Sequence, residues 1–362
     1  MHNLIKQAIK SLSDRFEIID EISLENERKV LNAFIKNKIA LRHFVPTSGY
    51  GYDDVGRDTL AKLYSDVFQT EDAIVSPLIT SGTHALTIAL FGLLRPDQTL
   101  LFVTGKPYDT LNDVIFGRGI GSLADFGVKC ELVPLNNGKP DLKAIANAVE
   151  RVKPSVVMIQ RSRGYEMRPA LSVAQIEEIS KIVDRRACKI LVDNCYGEFT
   201  EKLEPSVADV IVGSLIKNPG GGIAPSGGYI CGTNDAVRQI EGRFTAPSIG
   251  REVGSYAGDY RPFYQGLFLA PHTTAQSIKT ALLFSRVFSD LGYETMPELS
   301  GNIDDIICSI KFGDADKLIA FCQTVQSVSP VDSFALPEPW DMPGYNDKII
   351  MAAGAFVQGS SI

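Results

Sequence analysis

Two residues of opposite charge each end a short apolar run. Lys217 follows Val210-Ile-Val-Gly-Ser-Leu-Ile216 and precedes Asn218-Pro-Gly-Gly-Gly222, and Asp193 closes Cys188-Lys-Ile-Leu-Val192. Each run reads as a buried strand of a parallel sheet that delivers one polar residue at or just past its end. An amine and a carboxylate presented this way suit pyridoxal 5′-phosphate (PLP). The lysine condenses with the aldehyde as a Schiff base, and the acid pairs with the pyridinium nitrogen. A buried carboxylate needs such a partner, because isolated buried charge is costly. The competing reading of Asp193 is a cap on the following turn. A lysine near glycines is commonly a surface lysine, but this one sits in an otherwise uncharged segment after Val-Ile-Val. A lowered amine pKa would make Lys217 the nucleophile and then the base for a substrate α-proton.

Other residues could complete that site. Ser81-Gly82-Thr83 follows an apolar run and opens a helix whose apolar positions are Ala85, Leu86, Ala89, Leu90 and Leu93. A helix N-terminus exposes backbone N–H groups beside the positive end of its dipole, which suits a phosphate; an ordinary Ser/Thr cap is the alternative. Ser214 precedes Lys217 by three residues, placed to reach a phosphate oxygen. Asn218 and the following glycines would let the backbone approach a ligand. Tyr108, just past the 99–104 run, could stack on the pyridine ring, with His84 as its competitor. Asn194 and Tyr196 would line the same edge. Arg161 and Arg163, in Gln160-Arg-Ser-Arg-Gly-Tyr165, follow another apolar run. A planar guanidinium suits a substrate carboxylate or a phosphate; ion pairs at the sheet edge are the equal alternative.

The elements that must hold these residues alternate. Apolar, β-rich runs appear at 99–104, 129–134, 155–160, 188–193 and 209–213, with amphipathic stretches at 83–94, 141–152 and 172–186. Strands alternating with helices imply an α/β fold around a mostly parallel, doubly wound sheet. Ligands of such sheets bind at the carboxyl ends of the strands. The expected organisation is a helical arm and Gly/Tyr-rich loop over 1–58, a large α/β domain over 59–272, and a smaller α+β domain over 273–362. The last would open with a 273–290 helix and include a 306–310 strand and a 313–327 helix. The chain's stop at Gly359-Ser-Ser-Ile362, directly after an apolar run, suggests a missing C-terminal piece.

The 362 residues are 44% hydrophobic with a net charge of −7, enough for a large core and unsuited to a general nucleic-acid or membrane-surface binder. No apolar run approaches the roughly 20 residues needed to cross a bilayer, and Met1–Lys6 lacks signal-peptide features. Six cysteines without a Cys-x-x-Cys pair point to a reducing, cytoplasmic setting. Four histidines without ligand spacing argue against a metal site.

These motifs resemble the fold-type-I PLP enzymes of the cystathionine/methionine lyase group. More closely, the chain resembles the methionine γ-lyase-like or "aluminium resistance" branch, described as cystathionine β-lyases. The resemblance rests on Gly49-Tyr50-Gly51-Tyr52-Asp53-Asp54-Val55-Gly56-Arg57, Ser81–Ala85, Gln160–Tyr165, Val192–Glu198 and Gly213–Gly221, and covers most of the chain. It implies PLP as cofactor, Lys217 as the Schiff-base lysine, Asp193 as the pyridinium partner, and a dimeric active site, usually doubled to a tetramer. In the wider group a Tyr-x-Arg pair from the neighbouring subunit binds the phosphate. Here Tyr50, Tyr52 and Arg57 stand in that region with different spacing, which makes Tyr52 and Arg57 cofactor candidates and Tyr50 a substrate candidate. Leu215-Ile216 replaces the group's Thr-rich approach to the lysine.

The expected activity is carbon–sulfur lysis of a cystathionine-, cysteine- or methionine-type amino acid, by α-proton removal and β- or γ-elimination. The same residues would also serve a transaminase, racemase or aldolase. A non-catalytic PLP- or metal-binding resistance protein is the rival from another class.

Overall fold

The computed structural model describes residues 2–360 apart from 165, 343, 344 and 346. Tyr165, part of the 160–165 motif, and residues 361–362 lie outside that set. Seven strands form one sheet: β1 (Asp72–Ser76), β2 (Thr99–Phe102), β3 (Lys129–Leu132), β4 (Val156–Gln160), β5 (Lys189–Asp193), β6 (Val210–Ser214) and β7 (Gly228–Gly232). Their order is β1-β7-β6-β5-β4-β2-β3. The run from β3 to β6 is parallel, while β7 pairs antiparallel with both β1 and β6. β7 has only three residues between its flanking glycines, too short a run to stand out in the sequence. A second sheet pairs β8 (Glu294–Met296) with β9 (Ser309–Lys311).

All residues of β4, β6 and β7 are buried, the reason these strands read as unbroken apolar runs rather than alternating ones. Successive side chains still point to opposite faces. Val157, Ile159, Ile190, Val192 and Ile211 join Leu60, Tyr64, Phe68 and Leu267 in one core. Val156, Met158, Leu191, Val210 and Val212 join Leu86, Leu90 and Ile240 in the other. Each such side chain contributes roughly 1.5–3 kcal/mol on burial. The sheet is therefore a firm base for residues at its edge.

The helices are α1 (His2–Ser11), α2 (Ser13–Lys36), α3 (Val55–Phe68), α4 (Gly82–Leu93), α5 (Asp109–Phe116), α6 (Leu142–Val152), α7 (Val173–Ser180), α8 (Asn234–Phe244), α9 (Arg261–Asp290) and α10 (Ala315–Ser327). Several starts carry side-chain caps: Asp54 accepts from Arg57 N, Ser81 from His84 N and Asp141 from Ala144 N. Leu12, at the junction of α1 and α2, and Ile19 of α2 pack on Ala275, Ile278 and Leu282 of α9. The boundaries that differ most from expectation are three. α9 begins at Arg261 rather than 273, α7 ends at Ser180 rather than 186, and the 306–310 strand is the shorter, later β9. Pro271 lies inside α9 and would ordinarily break a helix. Here Leu267, Ala270, Pro271 and Thr274 are all buried, and tertiary packing of that face overrides the local preference. Among the described residues no helix is long and apolar enough to cross a membrane.

Candidate active site

A cavity of about 810 Å³ opens where β4, β5 and β6 end. Its lining includes Ser81, Gly82, Thr83, Tyr108, Asp193, Tyr196, Ser214 and Lys217, so the sheet brings together residues far apart in the sequence. The register aligns Gln160 with Asp193 and Asp193 with Val212, putting these strand ends side by side.

Asp193 is buried and accepts one backbone hydrogen bond, from Cys195 N at 3.2 Å. Burial pushes its carboxyl above the usual range, and the nearby Lys217 cation works against that shift. Lys217 immediately precedes a one-turn helix at Asn218–Gly220. Its Nζ lies 3.8 Å from the ring centroid of Tyr196. Burial acts to lower its pKa, but Cys195, Tyr196, Asp193 and Tyr108 together raise it well above the ordinary lysine value. The lowered amine pKa expected from the sequence is thus corrected: desolvation is present, and the surrounding groups outweigh it. Tyr196 and Phe199 both hold left-handed backbone, φ +70° and +62°. Non-glycine residues in that region persist only where the surroundings fix them, often at functional sites.

The start of α4 lies directly against the ends of β5 and β6. A Cβ added to Gly82 would sit 3.2 Å from Cys195 Sγ and 3.4 Å from Ser214 Cβ. The first N–H groups of a helix have no acceptor within it, and Ser214 Oγ makes only a long 3.5 Å contact to Gly227 O. Helix N–H groups and a weakly bonded hydroxyl converge on one corner. Tyr108 caps α5, and its phenol oxygen is 3.1 Å from Thr83 Oγ1, which ties the ring to that corner. Burial raises the Tyr108 pKa, so the phenol stays protonated. His84 lies outside the cavity lining, its Nδ1 accepting from Thr80 N at 3.1 Å.

Several sequence candidates stand elsewhere. Arg161 is fully enclosed and donates to Asn194 Oδ1, Gly197 O, Leu171 O, Thr200 Oγ1 and Glu201 Oε1. It locks the chain behind β5 and has no free edge for a substrate. Asn194 belongs to the same network and also donates to Glu204 Oε2. Arg163 makes a bidentate pair with the buried Asp305, at 3.2 and 2.8 Å. For both arginines the ion-pair reading is the one realised. Arg57 donates to Gly51 O and Asp58, while Tyr50 and Tyr52 are exposed and rest against each other. None of the three lines the cavity of its own chain. The glycines after Lys217 meet protein, not a ligand: a Cβ on Gly220 would strike Leu215 O, and one on Gly221 would meet Gly266 O of α9.

The cavity also contains residues the sequence reading passed over. Thr110, Gln160, Ser162, Met167, Cys195 and Ile216 line it, as do Ile307, Cys308 and the second-sheet residues Ser309–Lys311. Strand parity would have found Ser162 and Cys195. Gln160 and Ser162 face the cavity while Arg161 and Arg163 do not; Asp193 and Cys195 face it while Asn194 does not. Among the described residues no group of three or more His, Cys, Asp or Glu is arranged to hold a metal ion.

The chain is similar over its length to known proteins. The profile of the methionine gamma-lyase family matches residues 1–362. An uncharacterized protein of Bacillus subtilis, YnbB, is 47% identical over 352 residues, covering 95% of this chain and 83% of that protein. The crystal structure of a carbon–sulfur lyase involved in aluminum resistance from Clostridium novyi superposes with a TM-score of 0.95 at 48% identity. That match covers 99% of this chain and 86% of the other. A pyridoxal-5′-phosphate-dependent protein of Escherichia coli, YhfS, shares the fold with a TM-score of 0.65 at 16% identity, over 92% and 91% of the two chains. The mostly parallel seven-stranded sheet is thus that of fold-type-I PLP-dependent enzymes. By full-length match and by fold, the chain belongs to the methionine gamma-lyase family.

Proposed function

We propose that this protein is a PLP-dependent carbon–sulfur lyase acting on a sulfur-containing amino acid by β- or γ-elimination. The observation that carries the reading is the meeting of Lys217, Asp193 and the α4 N-terminus in one cavity at the sheet's carboxyl edge. The residues fit the cofactor. Asp193 is a buried carboxylate that accepts from Cys195 N, with no cationic side chain bonded to it among the described residues, and only a glycine lets the start of α4 pack this closely on Cys195 and Ser214. Lys217 would carry the cofactor, Asp193 would face its ring nitrogen, and Ser81, Gly82, Thr83 and Ser214 would hold its phosphate. When bound, PLP supplies an electron sink for the bond broken at the substrate α-carbon.

The chain's own groups then divide the remaining work. Lys217 Nζ takes the substrate α-proton, with the Tyr196 ring holding the amine in place. The protonated Tyr108 phenol, steadied by Thr83, gives a proton to the departing sulfur. Ile307–Lys311 line the cavity and would limit water at the reacting atoms once substrate is bound. Because Tyr50, Tyr52 and Arg57 cannot serve the cavity of their own chain, the reading places their loop at the site of a second copy. It therefore includes a homodimer, doubled to a tetramer, in the cytoplasm.

The test is direct. Purified holoprotein is incubated with cystathionine, cysteine or methionine, and 2-oxo acid and thiol are measured. Stoichiometric release of both from at least one substrate is expected. Bound PLP without either product from any of the three would remove the lyase reading.

A further inference from the structure

A second crevice, of about 330 Å³, lies between α2, α9 and residues 300–304. It shares no lining residue with the candidate active cavity. An apolar strip of Ile18, Ile19 and Ile22 from α2, Ile278 from α9, and Phe199 runs along it, beside polar side chains that include Arg15, Thr200 and Glu201. Asp304 lines the same space and is only 9% exposed. Among the described residues its carboxylate accepts no hydrogen bond and joins no ion pair; the one bond recorded at Asp304 is to its backbone oxygen, from Thr200.

The neighbouring acids show how unusual that is. Asp305, one residue on, accepts from Ser162 Oγ, from two nitrogens of Arg163 and from Ile307 N. Glu201 accepts from Arg161 and from Val173 N. Arg15, the cation on the crevice wall, is committed to Leu299 O at 3.0 Å and Gly301 O at 2.6 Å. A buried anion with no donor is costly unless a cation meets it. Burial, with Glu201 and Asp305 adding to it, pushes Asp304 up to about 6, against the pull of Arg161 and Arg163.

We propose that this crevice binds a small aliphatic cation carrying N–H donors, an alkylammonium or alkylguanidinium. Its head pairs with Asp304 and its chain lies along Ile19, Ile22 and Ile278. A charge-assisted pair with the carboxylate and an apolar strip for the chain are the two demands such a ligand makes. A bare metal ion would find too few oxygen ligands, since no cluster of three or more acidic, His or Cys side chains stands here among the described residues. The site stands apart from the proposed lyase chemistry and does not depend on it.

The experiment is a calorimetric titration of the full-length holoprotein at pH 8 with n-butylguanidinium chloride. That probe stays protonated and does not condense with an aldehyde, and sodium chloride of equal ionic strength serves as the blank. One saturable site per chain is expected. Asp304→Asn should weaken it at least tenfold, and Lys217→Ala should leave it unchanged. Affinity in the unmodified protein should fall as the pH drops from 8 to 5, because Asp304 gains its proton across that range. That second reading stands even if Asp304→Asn fails to fold. Absence of saturable binding, equal affinity in Asp304→Asn, an affinity flat from pH 5 to 8, or loss of binding in Lys217→Ala would each overturn the proposal.

Discussion

The Lys217 ammonium lies 3.8 Å from the ring centroid of Tyr196, a residue whose own backbone is left-handed. Burial opposes the charged form of the amine, but Cys195, Tyr196 and Asp193 outweigh it, and the ring's negative face favours the cation. Only the neutral amine attacks an aldehyde. Uptake of PLP by cofactor-free protein should therefore speed up about tenfold per pH unit between pH 7 and 9. Tyr196→Ala should make uptake about two- to thirtyfold faster at pH 7.5, the range set by a cation–π contribution of roughly 0.5–2 kcal/mol, while Tyr196→Phe should behave as the parent. Stopped-flow absorbance measures this; a rate independent of pH would contradict it.

Arg161 and Arg163 are structural ties. Removing one side of a buried ion pair costs about 3–5 kcal/mol. Arg163→Met and Asp305→Ala should each lower the urea-unfolding free energy by about that amount, and Arg161→Met by at least as much. If either arginine variant kept full stability and raised only KM, that arginine would instead be a substrate contact.

Glu198 sits fully buried behind the site, bonded to the Tyr229 phenol at 2.7 Å. Burial pushes its carboxyl up from 4.5 to about 8. The native state thus keeps a proton that the unfolded chain releases. The contribution to stability is full below pH 4.5, declines as the pH rises, and is gone above about 8. From pH 5 to 8.5 the native protein should lose a few kcal/mol through this group. Glu198→Gln should lose less over the same range, and denaturant curves at the two pH values give the difference. Parallel losses in parent and variant would refute this assignment.

Tyr108 depends on Thr83. A single hydrogen bond of this kind contributes about 0.5–1.5 kcal/mol. Thr83→Ala and Tyr108→Phe should each weaken PLP binding about two- to tenfold, read by equilibrium dialysis. Unchanged affinity in both would remove Tyr108 from the cofactor's surroundings.

The parts of this fold legible in the sequence were those where burial dictates residue type. β4, β5 and β6 are unbroken apolar runs, and the polar residues at their ends, Asp193 and Ser214, do line the cavity. Side-chain direction past a strand end was harder to read. Asn194 is expected on the same edge as Asp193, although the two adjacent residues face opposite ways. The start of α9 was hidden by Pro271, whose local penalty is offset only by contacts remote in sequence. β7 was hidden by its glycines; its pairing with β1 and β6 is entirely long-range. Tyr50, Tyr52 and Arg57 could be placed only by a loop geometry that spacing does not encode.

The account turns on which lysine carries the cofactor. Protein purified with PLP is reduced with borohydride, digested, and mapped by mass spectrometry. A pyridoxyl group on the peptide containing Lys217, absent from Lys217→Ala, is the predicted result. A pyridoxyl group on any other lysine, or an unmodified Lys217 in protein that holds PLP, would contradict it.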